Sequence, residues 1–377
     1  MSEPFSLKDH LFHAGKVQAL ARRIQVVYPA FDQPTFVDAV VRRLPELELK
    51  ARIDWISVCL RQFLPDDYRR ALQILLASLP EPCDPSLSDG DFGEFIYAPY
   101  SKFVADFGCH EDQLDVSLAA LKQMTTRFSA EYAIRFFINA FPRQTLQTLA
   151  QWQYDSHYHV RRLVSEGTRP KLPWAQKIKL DPQAALIFLD HLHADPSRFV
   201  TRSVANHLND LAKIEPNWVL ERLQSWKTQN RQNPKELDFI TRHALRSLIK
   251  QGHSETLLFL GYAPQTLIQI SDLKLVSNQV LIGQDLQFDF EIQSQSDQAQ
   301  DLIIDYRIYF CTKKEGTLSP KVFKLKQLTL PAKQILRLRK KHPFKIMTTR
   351  ALYPGQHLLE IQVNGQSMAR QAFELRL

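Results

Sequence analysis

Cysteine is scarce in this chain. The four residues Cys59, Cys83, Cys109 and Cys311 have neither metal-site spacing nor the density of a disulfide-stapled domain, so they read as ordinary reduced thiols. Long apolar runs are missing too. In MSEPFSLKDHLFHAGKVQALARR charged residues interrupt every short apolar stretch, so neither a secretory signal nor a membrane span is expected, and a cytoplasmic location follows. No HExxH occurs. The pairs His157 with His159 and His191 with His193 have HxH spacing but sit at or before helix starts, where i,i+2 side chains do not share a face. His207 and His243 read as surface or inter-helix residues. No metal or other cofactor is expected.

What is present is a moderate excess of base. Forty-eight Lys and Arg against forty Asp and Glu give a net charge of +8, which favours a polyanionic partner without specifying one. A length of 377 residues favours two domains over one. The composition shifts near Ala263-Pro264. Before it, leucine- and alanine-rich segments such as Thr35 to Leu44 and Tyr68 to Leu79 carry apolar residues at helical spacing. After it, QVLIGQDLQFDFEIQ, LIIDYRIYFC, VFKLKQLTL and HLLEIQVNG alternate or run rich in β-branched and aromatic residues between turn signals. The expected architecture is an α-helical domain over 1–263 and an all-β sandwich of about seven strands, of immunoglobulin-like size, over 267–377.

The helical part contains a repeat. DSHYHVRRLVSEG from Asp155, DPSRFVTRSVANH from Asp195 and KELDFITRHALRS from Lys235 superpose without gaps at successive offsets of 40 residues. Val160, Val200 and Ile240 align, as do Arg162, Arg202 and Arg242. A period of 40 predicts HEAT-like helix pairs stacked as a solenoid, with equivalent positions forming rows along a concave face. The arginine row is a candidate phosphate track; internal pairing that stitches one repeat to the next is the competing reading.

Acids interrupt this basic surface. Arg202, Asn206 and Asp210 share one helix face with Lys213, and Arg162 and Glu166 are four apart on the preceding helix. Asp210 lies 44 residues beyond Glu166, one period plus one helical turn, so the two carboxylates can face one groove from adjacent helices. Glu131, in TRFSAEYAIRFF, is a third acid whose register is open, with Arg135 or Arg127 as possible partners. Carboxylates beside a phosphate track repel the backbone it would bind, so their presence points to chemistry. Metal-assisted phosphodiester cleavage needs closer ligand clustering. Hydrolysis of an N-glycosidic bond asks for less, because a carboxylate can stabilise the developing oxocarbenium ion and orient water.

The chain resembles the AlkC family of bacterial DNA alkylation repair glycosylases, relatives of AlkD. FIYAPYSKFVADFG, LKQMTTRFSAEYAIR, HVRRLVSEGTRPKLPW, RSVANHLNDLAK and RHALRSLIKQG carry the resemblance, which covers residues 5 to 263. The C-terminal part is similar to the immunoglobulin-like extension of one branch of that family. The resemblance implies a monofunctional glycosylase that removes cationic 3-methyladenine and 3-methylcytosine from double-stranded DNA without flipping the lesion fully into a pocket. It also implies that the catalytic acids fall on Glu131, Glu166 and Asp210, and that the protein is nucleoid-associated when bound to DNA. Expected DNA contacts are Arg161, Arg162, Arg169, Lys171, Trp174, Arg202, Asn206, Arg242 and Arg246. In the β-domain, Arg337, Arg339, Lys340 and Lys341 of LRLRKKH would form a clamp; a charged, protected strand edge is the alternative. Trp174 stacks on a sugar or base in this reading, or packs in the core; Trp152 reads as inter-helix core. A monomer with no obligate protein partner is expected. The rival readings are a non-catalytic HEAT-repeat scaffold and a DNA-binding protein that marks damage without removing it.

Overall fold

The computed structural model describes residues 5–86, 92–263, 265–314, 316–346 and 351–376. These residues divide into two compact units, Met1–Ala244 and Leu245–Leu377. The described helices are α1 (Leu7–Leu11), α2 (Ala14–Val27), α3 (Gln33–Arg43), α4 (Leu49–Phe63), α5 (Tyr68–Ala77), α6 (Ala98–Phe107), α7 (Leu114–Thr125), α8 (Glu131–Ala140), α9 (Pro142–Trp152), α10 (Tyr158–Gly167), α11 (Leu186–Leu192), α12 (Arg198–Leu211), α13 (Pro216–Gln229), α14 (Pro234–Gln251) and α15 (Ser254–Phe259).

Local chemistry starts these helices where the pattern places them. Asp32 and Asp67 accept from the backbone N–H of Thr35 and Arg70, satisfying donors that the first turns of α3 and α5 cannot use. The repeat has its own version of this device. Asp155 and Asp195 accept from the N–H two residues on, each at 2.8 Å, and α10 and α12 then begin 40 residues apart. In the third copy the turn moves to Asn233, which accepts from Lys235 N–H at 2.9 Å, and α14 starts a turn earlier.

Packing follows the solenoid pattern. Helices α4, α6, α8, α10 and α12 lie each against the next in one layer, while α9, α11 and α13 contact members of it from the other. Val160, Val200 and Ile240, the aligned apolar column, are all buried. Trp152 is buried as well. Gly167, at the end of α10, touches α8: a Cβ there would sit 2.6 Å from Ile134 Cγ2, so glycine alone permits this approach. No described helix is long and apolar enough to cross a membrane.

The second unit holds two sheets. β1 (Ile268–Leu275), β3 (Asp285–Ser294) and β6 (Ile335–Pro343) form one, in the order β1-β3-β6. β2 (Gln279–Leu281), β4 (Gln300–Cys311), β5 (Leu318–Leu330), β7 (Gly355–Val363) and β8 (Gln366–Arg376) form the other, in the order β2-β8-β7-β4-β5. Leu286, Phe288, Phe290 and Ile292 point every second residue of β3 into the core, with Tyr306, Ile308, Phe310 and Ile361. Strand β4 is buried almost continuously because its other face is covered too, where Leu257 and Tyr262 pack with Ile303. That cover places the last part of α14 and all of α15 in this unit, so the compact units divide ahead of the 263/267 change in secondary-structure period. Asn364 anchors the arrangement, accepting from Ile303 N–H at 2.8 Å and donating to the Ala263 carbonyl at 3.0 Å.

Candidate active site

The three acids come from three successive helices of one layer. Glu131 is the first residue of α8, Glu166 lies in the last turn of α10, and Asp210 in the last turn of α12. Two guanidinium groups join them. Arg162 donates through Nη1 to Glu131 Oε2 at 2.9 Å, and its Nη2 lies 3.8 Å from Glu166 Oε2. Arg169 donates through Nη1 to Glu166 Oε1 at 2.5 Å and through Nε to Asp210 Oδ2 at 3.0 Å. The result is an alternating line of charge, Glu131–Arg162–Glu166–Arg169–Asp210. Lys213 Nζ stands 3.7 Å from Asp210 at its outer end.

Burial makes this line rigid in charge as well as geometry. The side chains of Glu166 and Asp210 are 6% and 5% exposed, Glu131 15%. Burial pushes the Glu166 carboxyl up, but Arg162, Arg169 and a 2.5 Å hydrogen bond from Ser203 outweigh it, so its pKa falls below the ordinary carboxylate value. Burial likewise opposes the charged forms of Arg162 and Arg169, and the facing carboxylates reverse the effect, holding both above the usual guanidinium value. Tyr132, beside Glu131, is pushed up to about 12 by burial and by the two nearby glutamates. His207, fully enclosed below the network, is lowered to about 3 by burial, and its Nδ1 donates to the Ser165 carbonyl at 3.0 Å.

Several supporting residues carry no sequence signal of their role. Ser129 donates to Glu131 at 2.7 Å and accepts from Arg162 at 2.9 Å. Ser203 reaches Glu166 from α12. Arg135 is 1% exposed and uses its donors on carbonyls, Gly167 at 3.1 Å, Arg169 at 2.8 Å and Gln176 at 2.7 Å, which fixes the segment carrying Arg169. Its spacing from Glu131 suggested an ion pair, but Arg135 and Arg127 both turn to backbone carbonyls and Glu131 meets Arg162 instead.

The basic residues separate into different jobs. Arg161, expected at a phosphate, forms a two-point pair with Asp195 of the next repeat, at 2.6 and 3.0 Å, and also caps the Asp155 and Ser156 carbonyls. Arg162 and Arg169, expected in the same role, are buried against the acids. In this structure all three serve as internal ties, each with a carboxylate within hydrogen-bond reach and little exposure. Arg198 and Glu236 tie the second repeat helix to the third with a comparable ion pair, from non-equivalent positions. The row Arg162, Arg202, Arg242 is therefore not uniform: Arg202 is half-buried, and Arg242 is exposed with Nε 2.9 Å from Asp238. Asn206 is half-buried and accepts from His243 at 2.9 Å. Arg246 is half-buried on α14. Lys171 is exposed, and Trp174 is 67% exposed, which removes it from the core.

The β-domain patch also splits. On the edge strand β6, Arg337, Arg339 and Lys341 face outward, opposite Glu291, Asp289 and Gln287 of β3, whereas Lys340 takes the parity of buried Leu338 and His342. Arg337 donates to Asp289 at 3.0 Å and lies 3.5 Å from Glu291. Among the described residues no three His, Cys, Asp or Glu side chains gather as a metal cluster.

Comparison with known proteins adds the lineage. Residues 269–377 match the family described as "Uncharacterised protein YhaZ, C-terminal Ig-like domain". The uncharacterized protein YhaZ of Bacillus subtilis (strain 168) is 32% identical over 361 residues, 94% of this chain and 96% of that one. The solved structure of the Pseudomonas fluorescens alkylpurine DNA glycosylase AlkC, bound to DNA containing an abasic site analog, superposes with a TM-score of 0.89 at 35% identity, covering 99% of this chain and all of that one.

Proposed function

This chain belongs to the AlkC family of DNA alkylation repair glycosylases, in the branch with a C-terminal immunoglobulin-like domain, and from that membership we propose that it excises cationic alkylated bases from double-stranded DNA. The reading assigns it monofunctional hydrolysis of the N-glycosidic bond of 3-methyladenine and 3-methylcytosine, without full extrusion of the lesion. The observation that supports it best is the acid line itself. Three carboxylates are gathered in it and held charged by Arg162 and Arg169, with Arg135 close enough to act on all three and Lys213 at the 42%-exposed outer end. A cationic base and an oxocarbenium sugar are complementary to carboxylates kept in their charged form.

In this reading Asp210 faces the lesion deoxyribose, stabilises its developing positive charge and orients the attacking water, and Glu166 shares that task. Glu131 closes the acidic wall against the lesion. The alkylated base is already cationic, so its departure as a neutral heterocycle requires no strong general acid. Exposed Lys171 and Arg242, with Trp174, Arg202, Asn206 and Arg246, would meet the flanking backbone, as would Arg339 and Lys341 of the β-domain.

The test is release of methylated bases from alkylated duplex DNA, measured for the wild type and Asp210→Asn with DNA binding followed in parallel. Release by the wild type that disappears in a variant still able to bind supports the proposal. Binding without release by the wild type would make the protein a damage marker, and absence of both a scaffold.

A further inference from the structure

A cavity of about 260 Å³ opens in the N-terminal unit between α4, α6, α8 and the segment 174–176. Its walls include five aromatic rings, Phe95, Phe128, Tyr132, Phe136 and Trp174. Three observations distinguish it from a packing gap. Trp174 holds φ at 63°, a left-handed backbone that a bulky L-residue adopts only under constraint, and Lys50 Nζ fixes it by donating to its carbonyl at 2.7 Å. That constraint leaves the indole exposed at the cavity rather than packed beneath it.

Gln176 supplies the second observation. It lines the cavity, and its side-chain Nε2 is buried with no acceptor among the described residues, although its backbone carbonyl is taken by Arg135 at 2.7 Å. A buried amide donor left unmatched destabilises a fold unless something else supplies its acceptor. The third is continuity with the acid line. Ser129 is a wall residue of the cavity, and its hydroxyl is the one that donates to Glu131 and accepts from Arg162.

We propose that this cavity is a binding site for a free, neutral heteroaromatic base, the heterocycle released by glycosidic cleavage. Flat aromatic walls suit its two faces, and a ring nitrogen or carbonyl on its edge accepts from Gln176. The volume lies just below the range of pockets for drug-sized ligands, which fits one or two fused rings. Charge at the rim is balanced, since Lys102 sits between Asp106 at 2.6 Å and Asp54 at 3.5 Å, so a neutral ligand is favoured over an ion. The identity of the base rests on the glycosylase reading; the site itself rests on the cavity.

The experiment is titration of 3-methyladenine into the full chain without DNA, followed by calorimetry, with Gln176→Leu and Trp174→Ala in parallel and base excision measured on the same preparations. Saturable one-to-one binding is expected, weakened about tenfold or more by Gln176→Leu, with a melting temperature no lower than that of the wild type because an unmatched buried donor has been removed. Absence of saturable binding, or binding indifferent to both substitutions, overturns the site. Excision without base binding discards this inference and leaves the proposed function standing. Base binding without excision keeps the site and discards the glycosylase.

Discussion

Glu166 and Asp210, 44 residues apart, are hydrogen-bonded to the same guanidinium. Arg169 reaches the first at 2.5 Å and the second at 3.0 Å, so the two carboxylates that the repeat brings to adjacent helices share one buried counter-ion. Their chemistry is therefore coupled, and removing any one member affects the others.

The acids are expected to act at the chemical step. Asp210→Asn and Glu166→Gln should each lower the single-turnover excision rate by about 10²-fold or more while changing DNA affinity little, since amides keep the shape but not the charge facing a cationic transition state. Single-turnover release of 3-methyladenine checks this; unchanged rates in both variants would remove these carboxylates from the mechanism.

Arg169→Gln should damage the fold more than DNA binding. It leaves two buried carboxylates facing each other with one cation fewer, a change of about 3–5 kcal/mol. Urea unfolding measures it, and a loss of under about 1 kcal/mol would show that solvent reaches the network.

Acid should unfold the protein in two separable windows. His207 is neutral when folded, with its pKa lowered to about 3, so its contribution is fully present above about pH 6.5 and is lost as pH falls from there toward 3. The slope it adds is at most about 1.4 kcal/mol per pH unit. Glu166, held below the ordinary value, contributes fully above about pH 4.3 and loses that contribution as pH falls through its lowered pKa. Urea midpoints for wild type, His207→Asn and Glu166→Gln between pH 7 and 3 separate them: His207→Asn should flatten the upper window and Glu166→Gln the lower.

Salt dependence should sort the arginines and lysines. Lys171→Gln or Arg242→Gln is expected to lower the slope of log affinity against log salt by about one unit for any duplex. Arg161→Gln should leave that slope unchanged and instead cost on the order of 2 kcal/mol of stability, because it unmakes the paired hydrogen bonds to Asp195.

Much of this organisation is local and was readable in the residues. The aligned apolar column of Val160, Val200 and Ile240 marks buried faces, and Asp155 and Asp195 mark the turns that begin α10 and α12. The alternation in β3 marks a half-buried strand, whereas β4 conceals its second covered face because Leu257 and Tyr262 come from another part of the chain. The basic run of β6 reads as one patch, but strand parity divides it and the register with β3 places acids beside it.

The sequence by itself determined the period of the helical repeat, the change to strands, and the placement of Glu166 and Asp210 on helices that can share a groove, while the register of Glu131 stayed open. Those properties depend on side-chain spacing within an element and on its recurrence every 40 residues. The tertiary structure alone decided which cation each acid meets, and so which arginines are held in internal ion pairs. Arg162 and Arg242 occupy equivalent repeat positions, yet the first is buried against Glu131 and Glu166 and the second is exposed beside Asp238. Partners about thirty to forty residues apart are selected by helix packing and burial, and a linear pattern does not encode that selection.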